Sequence, residues 1–162
     1  NGNYKTQIMD SMKTAVIYAR VSSVGDRQST ERQVSDLVDY STKNGLSVEQ
    51  VFEEHISGAT KNEDRAVLCE CLNFCITNKI DTLLISELSR LGRNVDEVLA
   101  NVKFCKDNHL NIYFQKENLS LFNADGSKNP FLTITLPYVM ILLLYLLYCK
   151  NNPFSRMKFA FI

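Results

Sequence analysis

At 162 residues, 45 % of them apolar and 22 % charged, the chain is long enough for one domain with a real core and too apolar to be a disordered segment. Eighteen basic residues balance eighteen acidic ones, so the formal net charge is zero. The broad basic excess of a self-sufficient nucleic-acid binder is therefore missing, and any such role needs cations focused at one site.

Residues 1–12 are polar, carry no secretory pattern and read as a flexible N-terminal extension. Residues 14–21, Thr-Ala-Val-Ile-Tyr-Ala-Arg-Val, predict a strand from their β-branched and aromatic content. Gly25-Asp26 breaks it. Thr30 with Gln33 makes a capping-box signal, and Val34, Leu37 and Val38 follow at helical spacing, so a helix is expected from about Thr30 to Asn44-Gly45. Residues 46–53 predict a second strand, followed by a polar loop from His55 to Asn62. Val67, Leu68, Cys71, Leu72, Cys75 and Ile76 form the apolar stripe of a second helix.

Thr82-Leu83-Leu84-Ile85 is a short apolar run of the parallel-sheet kind. Asn94 and Glu97 cap a third helix whose inner face holds Val95, Val98, Leu99, Val102 and Cys105. Asn111-Ile112-Tyr113-Phe114 is a fourth strand. Alternation of strand and helix from residue 14 to about 116 predicts an α/β fold with right-handed crossovers and a mostly parallel sheet. No internal repeat is evident. Phe131 to Tyr148 carries no charge and is apolar except for Thr133, Thr135 and Pro137. Its eighteen residues lie near the lower limit of a membrane span, and the proline and threonines weaken that reading.

The five cysteines are Cys69, Cys71, Cys75, Cys105 and Cys149. An odd number, mostly on helix-like stretches, points to reduced thiols and a cytoplasmic setting. Cys71 and Cys75 can share a helix face, but no second ligand pair stands at metal-site spacing. No metal is expected, and buried small apolar residues are the plainer reading.

Tyr18, Arg20 and Ser22 alternate along the first strand, so all three can face one cleft at its carboxyl end, where open α/β sheets bind ligands. The same spacing also fits an ordinary strand end with a surface serine. Arg65 stands in the first turn of the second helix, as a solvated residue or as one aimed at that cleft. Arg90 and Arg93 share a face of a turn or helix, and Gly92 between them permits close backbone approach; the plain alternative is a solvated basic turn. If these groups converge, a serine hydroxyl among guanidinium groups suits attack on a phosphodiester, whose reacting phosphoryl group is anionic throughout.

Tyr18-Ala19-Arg20-Val21-Ser22-Ser23, Gln28-Ser29-Thr30-Glu31-Arg32-Gln33, Ser57-Gly58 before Asp64-Arg65, and Ser89-Arg90-Leu91-Gly92-Arg93-Asn94 together resemble the ordered signature of the serine recombinases, the resolvases and DNA invertases. The likeness covers residues 13 to about 130. Glu117-Asn118-Leu119, Asp125-Gly126 and Asn129-Pro130-Phe131 further resemble the invertase-like members of Bacteroides-type bacteria. The resemblance implies a three-layer resolvase-like domain over 13–130. It implies that Ser22 is the nucleophile, forming a 5′-phosphoserine link to DNA and releasing a 3′-hydroxyl. Arg20, Arg65, Arg90 and Arg93 would hold the scissile phosphate, with Tyr18, Gln33, Ser57 and Ser89 in support. It implies a DNA partner, a homodimer and tetramer in the active assembly, no small-molecule substrate, and neither metal nor ATP.

Two departures stand out. Many resolvases carry aspartate where this chain has Ser89. Family members also continue into a long amphipathic dimerisation helix and then a DNA-binding domain, whereas residues 131–162 read as an atypical apolar tail without either. The expectation is a truncated recombinase with an apolar C-terminal helix. The alternatives are an inactive or inhibitory remnant, or a protein anchored in a membrane by residues 131–148.

Overall fold

The computed structural model describes residues 12–22, 27–56, 65–92, 94–135 and 138. Its sheet has five strands in the order β2-β1-β3-β4-β5: β1 (Lys13–Ser22), β2 (Leu46–Ile56), β3 (Thr82–Ile85), β4 (Asn111–Phe114) and β5 (Leu119–Ser120). The first four are mutually parallel, and β5 pairs antiparallel with β4. The helices α1 (Arg27–Lys43), α2 (Ala66–Thr77) and α3 (Val95–Asp107) form the crossovers. After β1 the chain crosses to β2 on one side, and after β2 it returns past β1 to β3. The carboxyl ends of β1 and β3 thus flank a topological switch point, where α/β sheets open a crevice.

Alternation along β1 sorts the core into two layers. Val16 and Tyr18 face α2 and α3, packing with Leu68, Cys71, Leu72, Cys75, Val98, Val102 and Cys105. Ala15 and Ile17 face the other way, toward Leu37 of α1, with Tyr40 stacked on Tyr113 at a centroid distance of 4.0 Å. Both sheet faces are covered, as the apolar run in β3 requires, and the expected three-layer α/β architecture is observed.

Several boundaries differ from the sequence expectation. Helix α1 begins at Arg27, so Thr30 is not its cap but a buried residue within the first turn. Its end is as expected, with Gly45 at φ 64° just past Lys43. Strand β2 runs to Ile56, three residues beyond the expected end and into the start of the expected polar loop. Arg65 stands at the N-cap position just before α2, without a side-chain capping bond, rather than in its first turn. The two-residue β5 has no sequence signal of its own. Asn94 caps α3 as expected, its side chain accepting from the Glu97 amide at 2.9 Å.

Beyond β5, Phe131–Thr135 makes one wide π-helical turn with Leu132 buried against the core. The helix expected after Pro137 falls outside the described residues. Among those described, no helix is long and apolar enough to cross a membrane.

Candidate active site

One irregularity in β1–β2 pairing decides which side chains meet at the strand ends. Ala15 pairs with Val48, but Val16 pairs with Gln50, leaving Glu49 as an extra residue on β2. A one-residue offset exchanges the two faces of a strand. After the bulge Tyr18 pairs with Phe52 and Arg20 with Glu54, so Glu54 shares the face of Tyr18 and Arg20 while Glu53 is exposed.

Glu54 is buried there and organises the cluster. Tyr18 Oη donates to Glu54 Oε2 at 2.5 Å. Arg65 Nε donates to the same oxygen at 3.2 Å, and Arg65 Nη2 donates to Tyr18 Oη at 2.7 Å. The Arg65 guanidinium carbon lies 5.9 Å from the centre of the Tyr18 ring. Arg65 Nη2 also donates to the main-chain oxygen of Arg90, tying the α2 cap to the segment after β3. Burial first, then the hydrogen bond to Glu54, pushes the Tyr18 phenol far above its ordinary value, so it keeps its proton and serves as a hydrogen-bond donor. Sequence reasoning missed Glu54, because its role depends on the bulge.

Arg90 closes a 3₁₀ turn, Leu88–Arg90. Its Nη2 pairs with Glu87 Oε1 at 2.8 Å. Gly92 then passes so close to α3 that an added Cβ would meet Val98 N at 2.6 Å, so this turn needs glycine for close approach. Arg20, Ser89, Arg90, Gly92, Asn94 and Glu117 are among the residues lining an open cleft of about 560 Å³. A smaller cavity of about 250 Å³ on the other side of Arg90 is lined by Gln33, Ser86, Glu87 and Lys116. There Gln33 Oε1 accepts from Ser86 Oγ at 3.2 Å.

Of the residues singled out from sequence, Tyr18, Arg20, Arg65 and Arg90 are brought together, with Gln33 beside Arg90 and Ser89 exposed at the cleft. The Ser22 backbone ends β1 at this edge. The Ser22 side chain, Ser57 and Arg93 lie outside the described residues.

The electrostatics of the cluster are unusual. The Arg20 guanidinium is held below its usual value by burial first, then by the positive charges of Arg65 and Arg90. Arg20 Nε, Arg65 Nη1 and Arg90 Nε are buried, with no hydrogen-bond partner among the described residues. An unpaired buried donor costs about 1–3 kcal/mol, and a charged one more. The three guanidinium groups lie close enough to act on one another electrostatically, and Arg65 and Arg90 are oriented by their other contacts. Among the described residues, no group of three or more His, Cys, Asp or Glu could hold a metal ion.

A family model for the resolvase N-terminal domain matches residues 15–136. The chain belongs to the resolvase family. It is 32 % identical over 116 residues to a resolvase of Clostridium perfringens, covering 71 % of this chain and 56 % of that protein. It is 30 % identical over 109 residues to the transposon Tn21 resolvase of Escherichia coli, covering 67 % of this chain and 50 % of the relative. The chain thus spans about half the length of the curated relatives it matches.

Among solved structures, the N-terminal catalytic domain of TP901-1 integrase superposes with a TM-score of 0.65 at 30 % identity, covering 83 % of this chain and 98 % of that domain. The catalytic domain of ISC1926 TnpA, an IS607-like serine recombinase, gives 0.56 at 30 % identity, covering 64 % and 70 %. A resolvase-family recombinase from Streptococcus pneumoniae shares the fold, with a TM-score of 0.67 at 18 % identity, covering 90 % and 97 %. The chain carries a serine recombinase catalytic domain.

Proposed function

We propose that this domain performs the cutting and rejoining step of site-specific DNA recombination. Ser22 is the nucleophile, and Arg20, Arg65, Arg90 and Arg93 hold the scissile phosphate. The observation that carries this reading is the set of three unpaired, buried guanidinium N–H groups on Arg20, Arg65 and Arg90, beside the strand end that closes at Ser22. In the reaction, the Ser22 Oγ–phosphorus bond forms as the phosphorus–O3′ bond breaks. The serine proton is lost and the O3′ oxygen gains one, leaving a 5′-phosphoserine link and a 3′-hydroxyl. Reversal from a new 3′-hydroxyl rejoins the strand, so no external energy source is consumed. The guanidinium groups meet the charge that builds on the phosphoryl oxygens.

Membership of the family supports DNA as the substrate, with pairs and tetramers of the protein as the working assembly. The net charge of zero means that grip on DNA comes from focused cations and from whatever else the working assembly supplies. Free thiols at Cys69, Cys71, Cys75 and Cys105 fit a reducing, cytoplasmic setting.

The test is to join an intact family tail after residue 132, denature cells expressing that protein in detergent without cross-linker, recover it, and sequence any DNA that remains attached. Covalently held DNA at discrete sites with Ser22 in place, and none with Ser22→Ala, is the expected result. Equal recovery from both refutes the proposal.

A further inference from the structure

Glu87 was singled out by no sequence motif, yet it holds Arg90 in place. It lies two residues beyond β3, and both its oxygens are engaged. Oε1 pairs with Arg90 Nη2 and Oε2 with Lys116 Nζ, each at 2.8 Å. The Ser89 side chain also hydrogen-bonds to it. The Arg90 backbone is fixed separately: its amide donates to the Glu87 carbonyl at 3.0 Å, and its own carbonyl accepts from Arg65. Lys116 is in turn anchored through its amide to the Ser86 carbonyl at 2.9 Å. The Glu87 and Arg90 side chains are only 19 % and 25 % exposed, unlike the freely solvated pairs that contribute almost nothing. With Nη2 taken by Glu87, Arg90 keeps a buried Nε–H without a partner.

We propose that Glu87 is the positioning residue for Arg90: bridged between Arg90 and Lys116, its carboxylate fixes the guanidinium so that Nε–H is presented to the anion. This rests on the reading of the arginine cluster as a phosphate site. The competing view is that a carboxylate beside a phosphate-binding guanidinium only repels the anion. The two views predict opposite signs. Removing the negative charge tightens anion binding if repulsion dominates, and weakens it if orientation dominates, because a free arginine must be ordered again at each binding event.

The experiment is an NMR titration of the whole chain with inorganic sulfate, read on arginine Nε–H signals assigned by single Arg→Lys changes. In the native chain the Arg20, Arg65 and Arg90 signals shift with one dissociation constant. Glu87→Gln weakens that constant about three- to tenfold, a change of roughly 0.7–1.4 kcal/mol, although the variant is more positive, and Arg90 alone loses its restricted rotation. Glu87→Asp, which keeps the charge, recovers part of the loss. Lys103→Ala, which breaks an exposed pair with Asp107 elsewhere, changes nothing. Backbone amide spectra report the fold of each variant. If Glu87→Gln unfolds, Glu87→Asp carries the test, since its shorter side chain draws the carboxylate back from Arg90 Nη2 and must loosen Arg90. Unchanged or tighter sulfate binding by folded Glu87→Gln, or an Arg90 in Glu87→Asp as rigid as in the native chain, overturns the proposal. Absence of any sulfate shift in the native chain instead overturns the phosphate-site reading, and this inference falls with it.

Discussion

Glu54→Ala should be among the most damaging single changes to this fold. The Glu54 and Arg65 side chains are 9 % and 7 % exposed, and Glu54 is the carboxylate that both Arg65 and Tyr18 bond. Removing one partner of a buried pair leaves the other as an uncompensated buried charge, at about 3–5 kcal/mol. Arg65 already has one buried nitrogen without a partner, so it has little local means of relief. Against a typical domain stability of about 5–15 kcal/mol, this is a large share. With a urea slope of about 2 kcal/mol per M, the unfolding midpoint should fall by about 2 M. The double variant Glu54→Ala/Arg65→Ala should be less unstable than the sum of the singles, with a coupling on the order of 1–3 kcal/mol. The assay is equilibrium urea unfolding followed by far-UV circular dichroism. A loss below about 1 kcal/mol for Glu54→Ala, or strict additivity in the double variant, would refute the buried-pair argument.

Gly92→Ala places a methyl group 2.6 Å from the Val98 backbone nitrogen, so it should cost about 1–3 kcal/mol by overpacking and displace the turn that carries Arg90; a stability within experimental error of the native chain would contradict this. The Tyr18 phenol is raised above 10.0, by burial first and by Glu54 next, so its contribution to stability is complete below pH 10 and is lost as pH rises through the folded value. Absorbance titration should show a late-ionising tyrosine in the folded protein that disappears in Tyr18→Phe. The Glu87 carboxyl is lowered from 4.5, by the Lys116 hydrogen bond first and by Ser89 and Arg90 further down. Its contribution is therefore present above pH 4.5 and lost as pH falls through the lower folded value, and Glu87→Gln should flatten that acid limb of the stability profile. Arg20→Lys, Arg65→Lys and Arg90→Lys should each slow covalent adduct formation by on the order of 10²-fold, because lysine cannot reproduce the guanidinium fork; full activity in any of them removes that residue from the site.

The scaffold was legible where local and global preferences agree. The short apolar runs of β3 and β4, bounded by polar residues, are strands as their composition suggests, and the Asn94 cap marks the start of α3 directly. The arginines were legible as residue types in order along the chain, and the fold brings Arg20, Arg65 and Arg90 to the switch point between β1 and β3. Other features depend on relations that no local pattern encodes. The extra Glu49 on β2 decides that Glu54, not Glu53, faces Tyr18. Glu87 matters because the turn after β3 sets it against Arg90 and the turn after β4 brings Lys116 within its reach. Thr30 looked like a cap because its neighbours fit a capping box, but α1 begins three residues earlier and the tertiary fold buries it. The role of Ser22 came from family resemblance, since a serine at a strand end carries no chemistry by its spacing alone.

The central claim is that the anion held by Arg20, Arg65 and Arg90 is a DNA phosphate attacked by Ser22. The most direct measurement is tandem mass spectrometry of the protein–DNA adduct after nuclease and protease digestion, reading which side chain carries the residual nucleotide. The account predicts a nucleotide joined through its 5′-phosphate to Ser22. Attachment at Ser23 or any other residue, or a linkage through a 3′-phosphate, contradicts it.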